Sequence, residues 1–373
     1  MRSDRREQVI LCGPFPTPEQ IGGYARANEL TASSFLDDEF GLRRLPITVP
    51  GSGGFLRRLA TDLLRTWRCL RETDAPIFHM TAQKGRGTYR EWAQFRMARR
   101  AGRRFVMDVR AGAFAQEFPL EPRHRRRMLT TMIHGADAIT VEGRPFVAWI
   151  EREFGRRALW LPNFVQLRHK EVYSRAPLLP PGPAETHRLI FTGRVVPDKG
   201  LEELLHACGR LVRDGLALRL DLIGPAEPAY EATLRSLAEA VVPGRVTIHG
   251  RMEHDVLMEA LTHAHVFVFP TRWWGEGHSN AVNEAMQVGL PVVTTDQGFL
   301  ADVVTPECGA IVPRSDPEAL AAALASLLGD WDRLRRCGDA AYERVYREFS
   351  DVVVLGRLAA LYRELLGEDG LPG

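Results

Sequence analysis

The chain has 373 residues, 49 of them Lys or Arg and 47 Asp or Glu, with 45% hydrophobic and 26% charged side chains. That is a globular composition on a chain long enough for two domains. It excludes a disordered tail, a collagen and a small disulfide scaffold, and no apolar run approaches the ~18–20 residues that span a bilayer. The net charge of +2 hides an asymmetry: residues 1–170 carry 30 basic and 18 acidic side chains, an excess of +12, whereas residues 171–373 carry 19 and 29, an excess of −10. The first part attracts anions, whether nucleic acid, an anionic membrane surface or an anionic substrate.

From the N-terminus, short apolar runs at 8–13, 45–49, 76–80, 104–109, 138–141 and 158–161 read as strands. Helical patterns at 22–37, 55–71, 88–101, 118–134 and 143–154 alternate with them. The stretch Val9–Cys12 is too short for the core of a signal peptide, so a cytoplasmic protein is expected. Residues 174–187 hold four prolines and a glycine and read as an interdomain linker. The rhythm then restarts, with strands at 188–193, 218–223, 246–249, 265–269, 291–295 and 309–312. Helices are expected at 200–214, 228–240, 255–262, 279–288, 316–328, 330–347 and 351–366. The expectation is α/β: two tandem Rossmann-like doubly wound parallel sheets facing across a cleft, one over 1–173 and one over 188–350. Ligands of such sheets bind outside the carboxyl ends of the strands.

Five cysteines lie far apart without a C-x-x-C pair, so buried free thiols are the simple reading and zinc is not expected. Only three of the 49 basic residues are lysines, namely Lys84, Lys170 and Lys199. A lysine retained in such a chain is informative, because its compact charge differs from the planar fork of Arg.

Three segments carry chemistry. After the first strand, Gly22 and Gly23 open a helix, where bare backbone amides can approach an anion, although the spacing is not that of a dinucleotide fingerprint. In Thr192-Gly193-Arg194-Val195-Val196-Pro197-Asp198-Lys199-Gly200, two cations flank a turn that leads into a helix, which suits a diphosphate. In the third, Glu276 precedes Gly277-His278-Ser279-Asn280 at a helix start, and Glu284 follows one turn inside; a carboxylate is a natural acceptor for paired sugar hydroxyls. Each has a plain alternative: a turn, a solvated loop, or acids complementing a helix dipole.

Together with Leu222-Ile223-Gly224, His249-Gly250 and Asn163, these segments resemble the family 4 retaining glycosyltransferases, which have the GT-B fold. The resemblance spans nearly the whole chain and is most distinctive in its C-terminal half. It implies that Arg194 and Lys199 hold a donor diphosphate, beside Gly193, and that Glu284 binds the ribose. It further implies that Glu276 and the amides of Gly277, His278, Ser279 and Asn280 hold the donor sugar. Gly250-Arg251-Met252 frames the base, Gly22 and Gly23 face the diphosphate, and the helix at 351–366 packs back on the first domain. The implied reaction is metal-independent transfer, with retention, from a nucleotide-diphosphate sugar to a saccharide or lipid-linked glycan. The setting is cell-surface polysaccharide or glycoconjugate synthesis at the inner face of the membrane, and no cofactor is called for. Asp330-Trp331-Asp332 reads as a helix cap rather than a metal motif.

Where relatives often carry a His facing the transferred sugar, this chain has Asp108 and Arg110. Asp108 is a catalytic and acceptor candidate, Arg110 and Lys84 are acceptor candidates, and an Asp108–Arg110 ion pair on the surface is the alternative. His278 either contacts the sugar or caps its helix. Along residues 55–70, Leu56, Leu59, Ala60, Leu63, Trp67 and Leu70 share one helical face with arginines off it. The favoured reading buries that stripe on the sheet, and the rival lays it on an anionic membrane. Arg123–Arg127 reads as a solvated face. Other functions on the same fold stay open: a nucleotide-sugar epimerase, a phosphorylase, a transferase acting on a small natural product, or a non-catalytic nucleotide-sugar sensor. A nucleic-acid binder is disfavoured, because the basic half lacks interleaved aromatics.

Overall fold

The computed structural model describes residues 6–17, 23–48, 54–82, 85–173 and 186–368. Among these, the residues of Met1–Asn163 and Asp351–Gly373 form one compact unit and those of Phe164–Ser350 a second.

The first unit is built on β1 (Val9–Gly13), β2 (Leu42–Pro46), β3 (Ile77–Ala82), β4 (Arg104–Val109), β5 (Ala138–Val141) and β6 (Leu159–Trp160). All run parallel, in the order β2-β1-β3-β4-β5-β6. The second unit carries β7 (His187–Thr192), β8 (Leu218–Ile223), β9 (Val246–Gly250), β10 (Val266–Phe269), β11 (Val292–Thr295) and β12 (Gly309–Val312). Their order is β12-β11-β10-β7-β8-β9, again all parallel. Central strands such as Val266–Phe269 and Val292–Thr295 are buried along their whole length, as expected where helices cover both sheet faces. The α/β doubly wound class expected from the sequence is the one observed. In the second sheet the strand order reverses between β7 and β10, which makes that junction the switch point.

Several elements depart from expectation. Strand β2 lies at Leu42–Pro46 rather than 45–49, because an edge strand needs backbone partners and not an apolar run. Its Arg43 reaches Glu7 and Glu72, and Arg44 reaches Glu29. The helix expected over 22–37 is two helices, Gly23–Ala32 and Phe35–Phe40, divided where the Ser34 hydroxyl accepts from the Leu36 amide. The stretch expected at 118–134 is a short helix Phe114–Glu117, a 3-10 turn and a helix Arg123–Gly135. Phe164–Tyr173, expected with the first domain, belongs to the second unit. There the Val165 amide donates to Phe349 O at 2.8 Å, the Tyr173 hydroxyl donates to Asp255 Oδ1 at 2.8 Å, and Lys170 lies over the Tyr342 and Tyr346 rings. Of the expected linker, 174–185 lie outside the described residues.

The helix Asp351–Leu366 packs on the first unit through Val354, Leu355, Leu358, Ala359 and Tyr362. The Tyr362 ring sits edge-on to Phe40 at 5.3 Å. Asp330 caps the helix Trp331–Phe349 by accepting from the Arg333 amide at 2.9 Å. All five cysteines are buried and free.

The helix Phe55–Glu72 splits its expected stripe: Leu59, Leu63 and Leu70 are half-buried, and Leu56, Ala60 and Trp67 are exposed. Its buried residues are Asp62, Thr66 and Cys69, while Leu56, Leu64 and Trp67 are exposed. Polar contacts seat it. Asp62 accepts from the Thr48 amide and hydroxyl at 2.9 and 3.0 Å, and Gln94 Nε2 donates to Thr66 Oγ1 at 2.9 Å. A buried carboxylate without partners costs far more than an exposed leucine, so the helix turns to satisfy Asp62.

Candidate functional site

The site of the second unit forms where the chain leaves β7 and β10, at the switch point. After Thr192 the chain passes Gly193 and Arg194 into the 3-10 turn Pro197–Lys199 and the helix Leu201–Arg213. After Phe269 it passes Thr271, Trp273 and Glu276 into the helix Asn280–Gln287. The loops are cross-tied: the Arg272 amide donates to Asp198 O at 2.9 Å, and Thr295 Oγ1 on β11 donates to Thr271 O at 2.5 Å. Two glycines allow the close fit. A Cβ on Gly200 (φ +69°) would sit 2.0 Å from Pro270 O, and one on Gly298 (φ +61°) would sit 2.1 Å from Glu276 O.

Lys199 and Glu276 meet at the centre. Lys199 Nζ donates to Glu276 Oε2 at 2.5 Å, and Thr271 Oγ1 donates to the same oxygen at 2.8 Å. Both charged side chains are buried, 7% and 8% exposed. No hydrogen bond to Glu276 Oε1 occurs among the described residues. Lys199 Nζ lies 4.8 Å from the Phe269 ring centre and 5.3 Å from that of Trp273. The exposed Arg194 lies 5.8 Å from the centre of the same Trp273 ring. One solvated and one buried cation thus bracket an indole, beside a carboxylate with acceptor capacity in hand.

Ser279 takes the N-cap position of the helix Asn280–Gln287, but its hydroxyl does not cap the first-turn amides. The half-buried Gly277 leads into this turn. His278 is buried, with Nε2 3.0 Å from Asn283 Oδ1 and its ring edge-on to Phe349 at 4.9 Å. It therefore anchors the helix start. Glu284 follows one turn on, its Oε1 3.9 Å from His254 Nδ1. His254 opens the helix just after Gly250-Arg251-Met252, so the loop after β9 stands next to Glu284. Gly250 there has φ +72°, Arg251 is exposed and Met252 half-buried. Within this unit the fold gathers Gly193, Arg194, Lys199, Gly250 to Met252, Glu276 to Asn280 and Glu284 around the switch point.

The first unit treats its candidates differently. Gly22 and Lys84 lie outside the described residues, and Gly23 opens the helix Gly23–Ala32. Asp108 and Arg110, at the end of β4, form the ion pair given above as the alternative, but buried: Arg110 Nε donates to Asp108 Oδ2 at 2.6 Å. The other oxygen, Oδ1, accepts from Thr140 Oγ1 at 2.7 Å. Arg110 Nη1 donates to Asn163 Oδ1 at 2.9 Å. His79 on β3 stands 3.8 Å from Asp108 through Nε2, and its Nδ1 lies 2.5 Å from the Tyr362 hydroxyl. Burial alone would raise the Asp108 pKa, but the Arg110 charge, the nearby His79 and the Thr140 hydrogen bond hold it well below the usual carboxylate range. Each Asp108 oxygen therefore already accepts a hydrogen bond from within this unit.

Thr271 and Trp273 escaped the sequence reading, as did His79 and Tyr362. A Thr two residues past the end of a strand and a His inside an apolar strand were the available signals. Neither has meaning until its partner is known.

Residues 186–330 match the family model of glycosyl transferases group 1. The chain is 32% identical over 170 residues to the GDP-mannose-dependent monoacylated alpha-(1-6)-phosphatidylinositol monomannoside mannosyltransferase of Corynebacterium glutamicum, covering 44% of each chain. It spans about half the length of the curated relatives it matches. Sucrose-phosphate synthase from Thermosynechococcus elongatus superposes with a TM-score of 0.78 at 19% identity, over 98% of this chain and 100% of the other. HepE from Anabaena, solved with UDP and glucose, superposes with a TM-score of 0.70 at 15% identity, over 95% and 99%. Residues 186–330 are therefore similar to the group 1 glycosyl transferases, and the chain that carries them has the GT-B fold.

Proposed function

We propose that this protein transfers a sugar from a nucleotide-diphosphate donor, with retention, to a saccharide or lipid-linked glycan acceptor in glycan synthesis at the cytoplasmic face of the membrane. The observation that carries the reading is the buried Lys199–Glu276 pair beside Arg194 at the switch point. Donor phosphates lie against Arg194 and Lys199, and Glu284 accepts from the ribose hydroxyls. Glu276 Oε1 and the amides of Gly277 to Asn280 take the sugar hydroxyls.

In the reaction the bond from the anomeric carbon to the diphosphate oxygen breaks, and the electron pair leaves with the nucleoside diphosphate. Arg194 and Lys199 stabilise the charge that builds there, fixed in place before the reaction. The sugar passes through an oxocarbenium-like state. The acceptor oxygen attacks the face just vacated, and its proton goes to the departing phosphate. No protein nucleophile is needed, and the two cations supply the charge that a metal ion supplies in other transferases. Since the Corynebacterium relative is named for GDP-mannose, that donor is the first probe.

The test is a thermal-shift screen against GDP, UDP, ADP, TDP and their sugars without added metal. A ligand at 100 times its Kd stabilises by about 2.7 kcal/mol. One base family is expected to stabilise the protein, and Lys199→Ala and Glu284→Ala to abolish the shift. A folded protein with no shift from any nucleotide removes the donor assignment.

A further inference from the structure

The helix Phe55–Glu72 buries Asp62, Thr66 and Cys69 with Leu59, Leu63 and Leu70 half-buried beside them, and its solvent side divides into two strips. Leu56, Ala60, Leu64 and Trp67 form an exposed ridge at helical spacing, with Leu56 76% exposed and Leu64 and Trp67 each 47% exposed. Beside it run the exposed Arg57, Arg65, Arg68 and Arg71. Arg57, Arg65 and Arg68 form no ion pair among the described residues, and the Arg71 guanidinium lies 4.8 Å from the Trp67 ring centre. The helix has just two carboxylates: Asp62 is buried, and Glu72 at its end pairs with Arg43.

We propose that this helix docks flat on an anionic bilayer surface, with Leu56, Leu64 and Trp67 in the acyl boundary and the arginines on lipid phosphates. Three observations choose this occupant. An exposed apolar strip next to uncompensated arginines is the division an interfacial helix needs, and a core-facing helix does not. A second copy of the chain is disfavoured, because pairing two such faces would bring four arginines against four. Basic charge also continues across the neighbouring helices Gly87–Arg100 and Arg123–Gly135, where Arg96, Arg100, Arg123 and Arg127 are exposed. Among the described residues no helix is long and apolar enough to cross a membrane. The docking stands whether or not the acceptor is lipid-linked.

The experiment is co-sedimentation of the full chain with vesicles of phosphatidylcholine alone or of equimolar phosphatidylcholine and phosphatidylglycerol. Binding is expected on the mixed vesicles only, and it should weaken as salt rises. Leu56→Ser/Leu64→Ser/Trp67→Ser is expected to lower it more than tenfold. Arg65→Gln/Arg68→Gln is expected to lower it about 25-fold, at about fivefold for each arginine. All five positions are exposed, and an unchanged circular-dichroism melt checks each fold. Nucleotide thermal shifts on the same preparations read the donor site independently. Equal sedimentation with both vesicle types overturns the proposal. So does binding that survives both variants but is lost in Arg123→Gln/Arg127→Gln. A dimeric wild type that the triple Ser variant makes monomeric overturns it as well, because the ridge is then a self-interface.

Discussion

Each unit buries an acid against a base at the end of a central strand, yet the two are wired to opposite ends. In the first, both oxygens of Asp108 are taken, by Arg110 and Thr140, and His79, Tyr362 and Asn163 complete the network. In the second, Lys199 and Thr271 both donate to Oε2 of Glu276. A carboxylate bonded through both oxygens is held within the fold, whereas one bonded through a single oxygen keeps the other for a ligand. The Asp108 network also ties together residues far apart in the chain, since the His79–Tyr362 contact spans 283 positions. The Lys199 and Glu276 loops instead leave two strands of one sheet, β7 and β10. The difference teaches that burial and charge do not by themselves separate a structural pair from a candidate site; how the accepted bonds divide between the two oxygens does.

The largest separation between the two comes from neutralising each acid. Glu276→Gln should lower kcat/KM by on the order of 10²–10³ in the protein that stays folded, with some loss of stability as well, because Lys199 keeps its buried charge without a partner carboxylate. Asp108→Asn should instead unfold the protein readily, with a loss of about 3–5 kcal/mol by denaturant titration, because Arg110 is left buried without its counter-charge. An Asp108→Asn enzyme that is stable but inactive would erase the contrast.

pH sharpens it. The folded-state pKa of Asp108 is depressed, so its stabilisation is present above the ordinary Asp value of 3.8 and is lost as pH falls towards the folded value. The stability gap between wild type and Asp108→Asn should therefore shrink only below about pH 4 in an acid series.

Next in size is Gly298→Ala. A Cβ there presses on Glu276 O from a left-handed backbone position, so the carboxylate must shift. Turnover is expected to fall about 100-fold, the scale of a 1 Å misplacement. A mild effect would mean the loop is freer than its contacts imply.

The smallest effect belongs to Tyr362→Phe. It removes a buried hydroxyl from His79 and costs about 1–3 kcal/mol, with donor binding unchanged by thermal shift. Burial raises the Tyr362 pKa well above 10, followed by the repulsion of Asp108 and against the pull of Arg110. The folded state thus keeps the phenol protonated, and this stabilisation is full below the unfolded pKa and lost as pH rises through the folded one. An alkaline melting series should lose that component in Tyr362→Phe.

Much of the molecule was legible in the residues alone. Runs such as Val266–Phe269 and Val292–Thr295 declare buried parallel strands, because both faces of the sheet are covered and no alternation is needed. Glu276, Glu284, Arg194 and Lys199 stood out because their loops are short and follow strands, so local spacing already sets their place. The edge strand β2 was displaced for the opposite reason, since its polar residues carry no burial signal.

What the sequence determined by itself was therefore what local periodicity and short loops encode: the α/β rhythm, the strands of both sheets to within a few residues, and the cations and acids at the second switch point. The tertiary structure alone decided which buried charges are spent and which retain capacity, and that Phe164–Tyr173 joins the second unit. It also decided that the helix Phe55–Glu72 turns Asp62 inward and Trp67 outward. The physical reason is common to all three. A helix stripe or an ion pair is resolved by partners distant in sequence, Thr48 and Gln94 for the helix and Tyr362 for His79, and no pattern within one element reports them.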